Sequence, residues 1–170
     1  AVLRRQLREG ELDAIIVALP FNEPDVITRT LYDEPFVVVM RKDHELAKLD
    51  HIKAEMLPDQ KLLLLGEGHC FRDQVLELCP ALSQQNNNRV GSVTQGSSLE
   101  TLKYMVATGL GITVLPESAV GNLDSNLITT RPFANPAPFR TVALAWRASF
   151  PRGKAIDLLL DTAGTCLINP

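Results

Sequence analysis

Residues 97–116 read SSLETLKYMVATGLGITVLP, and this stretch decides the fold class. Its first half carries apolar residues at helical spacing and predicts an amphipathic helix that ends at Gly109; these residues are Leu99, Leu102, Met105 and Val106. Ser97 and Glu100 fit a capping box at the helix start. The run GITVLP at 111–116 predicts a buried strand directly after the helix. A helix that feeds a buried strand at once is typical of an α/β protein.

The same alternation continues outward in both directions along the chain. Further strands are predicted at 12–20, 26–32, 36–40, 61–65, 90–94, 128–133 and 141–146. Further helices are predicted at 2–9, around 52–57, at 70–79 and at 153–168. This order predicts an α/β fold with a mostly parallel sheet. The proline-rich FANPAPFR at 133–140 is expected to cross between two lobes.

Composition narrows the class of protein. The chain has 170 residues, of which 45% are hydrophobic, so it can bury a real core. The formal net charge is −3 and the basic residues are scattered, which disfavours direct binding of nucleic acid by this domain. No apolar run is long enough for a membrane span, and the first residues lack a signal-peptide core. We therefore expect a soluble cytoplasmic domain without a membrane partner.

Two of the three cysteines lie in GEGHCFRDQVLELC, residues 66–79. Cys70 and Cys79 are nine positions apart, a rise of roughly 13 to 14 Å in a helix. Disulfide-bonded cysteines need Cα atoms about 4.4 to 6.8 Å apart, so a helical segment cannot hold the bond. The pair can be two core thiols, two metal ligands or two states of a switch. A zinc site with His69 is disfavoured because no CxxC pair and no fourth ligand accompany it, and we expect no metal.

The two thiols differ in their predicted surroundings. Cys70 begins the predicted helix, where the helix dipole, a protonated His69 and Arg72 would favour its thiolate, while Asp73 opposes it or orients the cations. Cys79 has leucine neighbours and no nearby cation. This asymmetry suits peroxide chemistry, in which one thiol becomes a sulfenic acid and the second condenses with it. Free cysteines are also commonly buried core residues, so spacing alone leaves both interpretations open.

The motifs GHCFRDQVLELC and SSLETLKYMVATGLGITVLP resemble the OxyR family of LysR-type transcription regulators, specifically its C-terminal peroxide-sensing regulatory domain. LDAIIVAL, DEPFVVVMRKDHELA and TVALAWR extend the resemblance over nearly the whole chain. The resemblance implies that Cys70 is the peroxide-reactive thiol and that Cys79 is its disulfide partner. It places His69, Arg72 and Asp73 around the peroxide site. The implied function is a hydrogen-peroxide sensor of a transcription activator in oxidative stress, without a cofactor and not an enzyme.

The family fold implies two α/β lobes like those of periplasmic binding proteins. Residues 1–32 and 142–170 would form regulatory lobe I, incomplete at its N-terminus, and residues 33–141 would form lobe II with the redox cysteines. The winged helix-turn-helix of the family is absent from this chain, so DNA and RNA polymerase would be partners only through the full-length regulator. The resemblance also implies a homodimer or homotetramer, a glutaredoxin- or thioredoxin-type reductant, and a bacterial cytoplasm.

Other functions are possible from the residues alone. A small-molecule-inducer-binding domain of a LysR-type regulator would leave the cysteines incidental and would use Ser97 and Ser98 at an effector cleft. A thiol peroxidase would use the same chemistry, but LGEGHC before Cys70 lacks a peroxidase motif. Cys166, in the closing helix, is predicted to be a packing residue.

Overall fold

The computed structural model of the chain describes residues 2–66, 70–78, 94–121 and 126–168. The chain forms two compact units. Unit 1 comprises residues 1–34 and 140–170, and unit 2 comprises residues 35–139. The predicted α/β class is confirmed, because helices and strands alternate through most of the chain. None of the helices in the described ranges has both the length and the apolarity that crossing a membrane requires.

Unit 1 pairs strands from the two ends of the chain. It contains helix α1 (Val2–Glu9), strand β1 (Ala14–Ala18), the first part of strand β2 (Val26–Arg41), most of strand β7 (Phe139–Arg147) and helix α4 (Gly153–Ile168). Strand β1 lies antiparallel to β7, with Ala14 opposite Trp146 and Ala18 opposite Val142. Leu7, Ile15 and Ala145 form the buried core of this unit.

The end of α1 is fixed by a residue distant in sequence. Gly10 has a φ of 80°, the left-handed conformation that commonly ends a helix at glycine. The guanidinium of Arg147 donates through Nη1 to the carbonyl oxygens of Leu7 and Leu12, the latter at 2.8 Å. Arg147 therefore satisfies backbone acceptors that the end of α1 leaves unpaired.

Unit 2 has a mixed sheet covered by short helices. Its elements are the second part of β2, strand β3 (Leu62–Leu65), helix α2 (Cys70–Leu78), strand β4 (Thr94–Gly96), helix α3 (Leu99–Ala107), strand β5 (Ile112–Pro116) and strand β6 (Ile128–Pro132). The strand order is β6-β2-β5-β3-β4. Strand β3 is parallel to both β4 and β5, whereas β2 is antiparallel to both β5 and β6. The central strands β3 and β5 are buried along their whole lengths, as their apolar runs predicted.

The prediction of a mostly parallel sheet is wrong. Three strand pairs among the described residues are antiparallel, namely β1 with β7, β2 with β5 and β2 with β6. Buried strands read as continuous apolar runs in either orientation, so the runs alone did not distinguish them.

Residues 26–32 and 36–40, predicted as two strands, form the single strand β2. The side chains of the intervening Asp33 and Glu34 have partners on β7. Glu34 accepts a hydrogen bond from Arg140 Nε at 2.6 Å, and Asp33 accepts one from the Thr141 hydroxyl at 2.7 Å. These contacts satisfy the carboxylates within the strand, so the chain does not need to turn into solvent.

Two other elements differ from the predictions. The helix expected around 52–57 is the second of two short 3₁₀ helices, Glu45–Lys48 and Ala54–Asp59. His44 caps the first of them, because its Nδ1 accepts the backbone N–H of Leu46 at 3.2 Å. The strand expected at 90–94 is described from Thr94 to Gly96, and residues 90–93 lie outside the described ranges.

Candidate functional site

Helices α2 and α3 begin at the same edge of the unit 2 sheet. The parallel strands β3 and β4 end at Leu65 and Gly96, and the N–H of Gly66 donates to the carbonyl of Gly96 at 3.2 Å. Helix α2 starts at Cys70, and α3 starts at Leu99. The carboxyl edge of parallel strands is where α/β folds commonly build their sites. The fold thus puts Cys70 at a position suited to chemistry.

Helix α2 is held on the core by one apolar side. Phe71 and Val75 are buried, and Leu76 packs partly against the same core. The ring of Phe71 meets the ring of Phe36 edge to face, with centroids 5.7 Å apart and planes at 66°. Asp73 points to solvent. This packing confirms the helix that the spacing of Phe71 and Val75 predicted.

Arg72 is the cation that the structure places in the first turn of α2. Its Nη1 donates to the carbonyl oxygen of Leu65 at 3.0 Å, which ties the helix start to the end of β3. The side chain is half-buried. A guanidinium fixed this way supplies positive charge and also stabilises the connection between strand and helix.

The structure describes three of the five residues predicted at the redox site. Cys70 is described as the first residue of α2, and Arg72 and Asp73 follow it in the same turn. His69 and Cys79 lie outside the described residues, so their roles stay predictions. Among the residues that are described, no group of histidine, cysteine and carboxylate side chains could hold a metal ion.

The start of α3 is capped, although not by the predicted pair. Ser98 is the N-cap, and its hydroxyl oxygen accepts the N–H of Thr101 at 3.1 Å. The capping box of Ser97 with Glu100 is therefore wrong, since Glu100 instead pairs with Lys103 Nζ at 2.6 Å. The extended backbone of Ser98, with φ −153° and ψ 165°, aims its side chain at the helix, one residue later than predicted. Ser97 and Ser98 are both exposed.

A polar depression lies at the opposite edge of the same sheet, at the other end of its strands. Its lining includes Arg41, Asp43, His44 and Lys61, together with Gly109 at the end of α3. A two-pronged hydrogen bond from Arg41 lowers the pKa of Asp43, and the same contact raises the pKa of Arg41. This depression contains no cysteine and is separated from the start of α2 by the length of the strands.

Cys166 does not pack in the core as predicted, because it is exposed on α4. The buried side of α4 passes through Ile156 and the half-buried Leu160 and Ala163. At about 100° per residue, Cys166 falls well outside that stripe. Its apolar neighbours in sequence did not indicate which side of the helix it occupies.

Two long-range contacts were not found from the sequence. The Phe36 to Phe71 ring pair joins residues 35 positions apart, and the ion pair of Glu34 with Arg140 joins residues 106 positions apart. The only local signal was the apolar residue directly after Cys70. Contacts of this sequence separation depend on strand order, which the periodicity does not encode.

Comparison with known proteins places this geometry in a family context. The family model described as the LysR substrate binding domain matches residues 1–165. A "Probable hydrogen peroxide-inducible genes activator" of Streptomyces viridosporus is 40% identical over 155 residues, covering 90% of this chain and 49% of that protein. The "DNA-binding transcriptional dual regulator OxyR" of Escherichia coli strain K12 is 35% identical over 160 residues, covering 94% of this chain and 51% of that protein. The chain therefore spans about half the length of these relatives.

Solved structures agree with these matches. The reduced form of the OxyR regulatory domain from Pseudomonas aeruginosa is 54% identical, with a TM-score of 0.84 over 97% of this chain and 78% of that chain. The oxidised form of OxyR is 32% identical, with a TM-score of 0.79 over 99% of this chain and 78% of that chain. The similarity thus includes structures of both redox forms.

Proposed function

The chain belongs to the LysR substrate binding domain family, as an OxyR-type regulatory domain with the two-lobed fold of periplasmic binding proteins, and on that premise we propose that it senses hydrogen peroxide through Cys70. The observation that carries the proposal is the position of Cys70, at the first residue of α2 and in the same turn as Arg72, whose guanidinium is fixed. We further propose that Cys79 is the partner thiol and that His69 and Asp73 contribute to the polar surroundings.

The chemistry proceeds in two steps. The Cys70 thiolate attacks one oxygen of hydrogen peroxide, the O–O bond breaks, and the departing oxygen takes a proton to leave as water, so that a sulfenic acid remains on Cys70. The Cys79 thiol then attacks that sulfur, a disulfide forms, and a second water leaves. Two thiols and one peroxide thus give one disulfide and two waters. A glutaredoxin- or thioredoxin-type dithiol would reduce the disulfide back to two thiols by exchange and become a disulfide itself.

The surroundings of the α2 start favour the first step. A helix N-terminus has unpaired N–H groups and the positive end of the helix dipole, both of which stabilise a thiolate. Arg72 adds a full positive charge in the same turn, and its bond to Leu65 O keeps that charge in place. The N–H groups and Arg72 can also stabilise the charge that develops on the departing oxygen.

Helix geometry links the second step to a change of shape. From Cys70 to Leu78 the helix rises about 12 Å, whereas a disulfide needs Cα atoms about 4.4 to 6.8 Å apart. A bond from Cys70 to Cys79 therefore requires α2 to unwind at least in part. Formation of the disulfide would release the packing of Phe71 and Val75, and this release is the signal that we propose.

The remaining family properties are part of the same proposal. Residues 1–32 and 142–170 would act as regulatory lobe I, and residues 33–141 as lobe II with the redox pair. The full-length regulator would bind DNA, act with RNA polymerase as a homodimer or homotetramer, and work in the bacterial cytoplasm. The role is regulatory, without turnover as an enzyme.

A labelling experiment tests the assignment of the reactive thiol. The chain is treated with one equivalent of hydrogen peroxide, and a sulfenic-acid probe and peptide mass spectrometry locate the product. Cys70→Ser should abolish both the sulfenic acid and the disulfide, whereas Cys79→Ser should leave the sulfenic acid trapped on Cys70. Cys166→Ser is the matched control and should behave as the parent does, although Cys166 is exposed.

Two results would contradict the proposal. Labelling of Cys70→Ser at the parent rate would move the reactive site to another cysteine. A transcriptional response to a small organic inducer that persists when Cys70 and Cys79 are both serine would favour the inducer-binding alternative, with Ser97 and Ser98 at its cleft.

A further inference from the structure

Helix α2 depends on tertiary packing for its existence. It has nine residues, and isolated helices shorter than about 12 residues are marginal in water even with favourable sequences. Among its described side chains only Phe71 and Val75 are fully buried. Of these two, Phe71 is the one in the first turn, directly after Cys70. The ring of Phe71 and the Arg72 bond to Leu65 both help to hold this first turn.

The ring of Phe71 rests on a partner that is itself fixed. Phe36 is 1% exposed and lies within β2, where its N–H donates to the carbonyl of Pro138 at 3.0 Å. The centroid distance of 5.7 Å and the interplanar angle of 66° are those of a favourable edge-to-face pair. Phe71 is 9% exposed, so nearly all of its surface is removed from water. A rigid strand residue therefore holds the turn that carries Cys70.

We propose that Phe71 is a positioning residue for the redox site. Through its contact with Phe36, Phe71 holds Cys70 in the place that it has in the dithiol form. This inference rests on the proposed function in one respect, namely that Cys70 forms a disulfide with Cys79. Unwinding of the first turn of α2 removes Phe71 from Phe36, so the free energy of the ring contact opposes formation of the disulfide. The contact sets how readily the sensor oxidises.

The sign of the effect follows from which state contains the contact. The ring pair stabilises the dithiol form and is lost in the disulfide form. A smaller residue at position 71 therefore weakens the dithiol form alone and shifts the equilibrium toward the disulfide. Loss of the edge-to-face ring pair and of its buried area should shift the dithiol–disulfide equilibrium about tenfold. A tenfold change in the equilibrium constant of this two-electron couple is about 30 mV, toward a more negative midpoint potential.

The test compares two phenylalanine-to-leucine variants in unit 2. Phe71→Leu removes the ring next to Cys70, and Phe133→Leu is the matched control, since Phe133 is also buried, at 3% exposure, but its backbone bridges to Ile52 and not to α2. The first measurement is hydrogen exchange of the α2 amides under reducing conditions. The second is the dithiol–disulfide equilibrium in glutathione buffers. Thermal unfolding of both variants checks that each retains the fold.

The expected result has two parts. Phe71→Leu should raise exchange in α2 about tenfold and shift the equilibrium toward the disulfide about tenfold, while Phe133→Leu should do neither. Phe36→Leu should reproduce both effects, and the double variant with Phe71→Leu should add little to either single change.

Three results would overturn the inference. Equal α2 exchange in Phe71→Leu and Phe133→Leu would show that the ring does not hold the helix. Faster exchange with an unmoved equilibrium would show that the contact survives in the disulfide form. Full additivity of the Phe36 and Phe71 variants would show that the two rings act independently. Failure of the parent chain to form a Cys70–Cys79 disulfide would refute the proposed function instead, and the exchange measurement would still decide whether Phe71 holds α2.

Discussion

The buried ion pair between Glu34 and Arg140 gives a stability prediction that can be worked from the structure. Glu34 is 3% exposed and accepts from Arg140 Nε at 2.6 Å, whereas the Arg140 side chain is 23% exposed. The perturbations are Arg140→Met, which leaves a buried carboxylate without its guanidinium, and Glu34→Gln, which leaves a guanidinium that can still reach water. The two changes remove the same pair and should have unequal costs.

The magnitudes follow from the two exposures. Removal of one partner of a buried pair costs about 3 to 5 kcal/mol, and both residues have further interactions, so Arg140→Met should cost about 3 kcal/mol. Glu34→Gln keeps a hydrogen-bond acceptor at the same place and should cost about 1 to 2 kcal/mol. The pair of Arg29 with Asp157 is mostly exposed, at 64% and 69% with a 3.8 Å separation, so Arg29→Met should cost less than about 0.5 kcal/mol.

Urea denaturation followed by circular dichroism measures these differences in the free energy of unfolding. The predicted order of destabilisation is Arg140→Met, then Glu34→Gln, then Arg29→Met. Equal losses for Arg140→Met and Arg29→Met would refute the reasoning, since burial would then not matter. A larger loss for Glu34→Gln than for Arg140→Met would show that the buried carboxylate is not the group that needs its partner.

Three further predictions concern charge and capping. Arg72→Ala should slow the reaction with peroxide in stopped-flow measurements, by a rate ratio equivalent to about 1 to 3 kcal/mol of activation free energy. Arg152→Ala is the control, because Arg152 is exposed. An unchanged rate from pH 5 to 9 would remove Arg72 from the mechanism. Ser98→Ala should lower the free energy of unfolding by about 1 kcal/mol in urea titrations, and no loss would show that its bond to the first turn of α3 is dispensable. Arg41 lowers the pKa of Asp43 from an ordinary value of 3.8, so the contribution of this pair to stability should be full above that value and lost as the pH falls through the lowered pKa. NMR titration should show that the pKa of Asp43 rises in Arg41→Ala. An unmoved pKa would contradict the assignment.

The local part of the fold was predictable from the sequence. The spacing of Phe71 and Val75 placed α2 on the core side that it occupies, and the apolar runs at 61–65 and 111–116 correspond to the buried strands β3 and β5. These features depend on periodicity within a few residues, which the chain encodes directly.

The non-local part was not predictable in the same way. Strand direction and the continuity of β2 through Glu34 depend on partners more than 70 residues away, such as Arg140 on β7. The exposure of Cys166 depends on which side of α4 contacts unit 1. The capping residue of α3 was misplaced by one position, because Ser97 and Ser98 carry the same hydroxyl and only the backbone angles at Ser98 select it.

The central claim, that oxidation of Cys70 unfolds α2 locally, is tested most directly by hydrogen exchange in the two redox forms of the same chain. The dithiol form and the form oxidised with one equivalent of hydrogen peroxide are compared over residues 70–78, with α3 as the internal reference. We predict faster exchange in 70–78 after oxidation and unchanged protection in Leu99–Ala107, whose cap at Ser98 and buried Leu102 do not involve the cysteines. Identical exchange over 70–78 in a chain whose Cys70–Cys79 disulfide is confirmed by mass spectrometry would contradict the account, because the bond would then form without unwinding the helix.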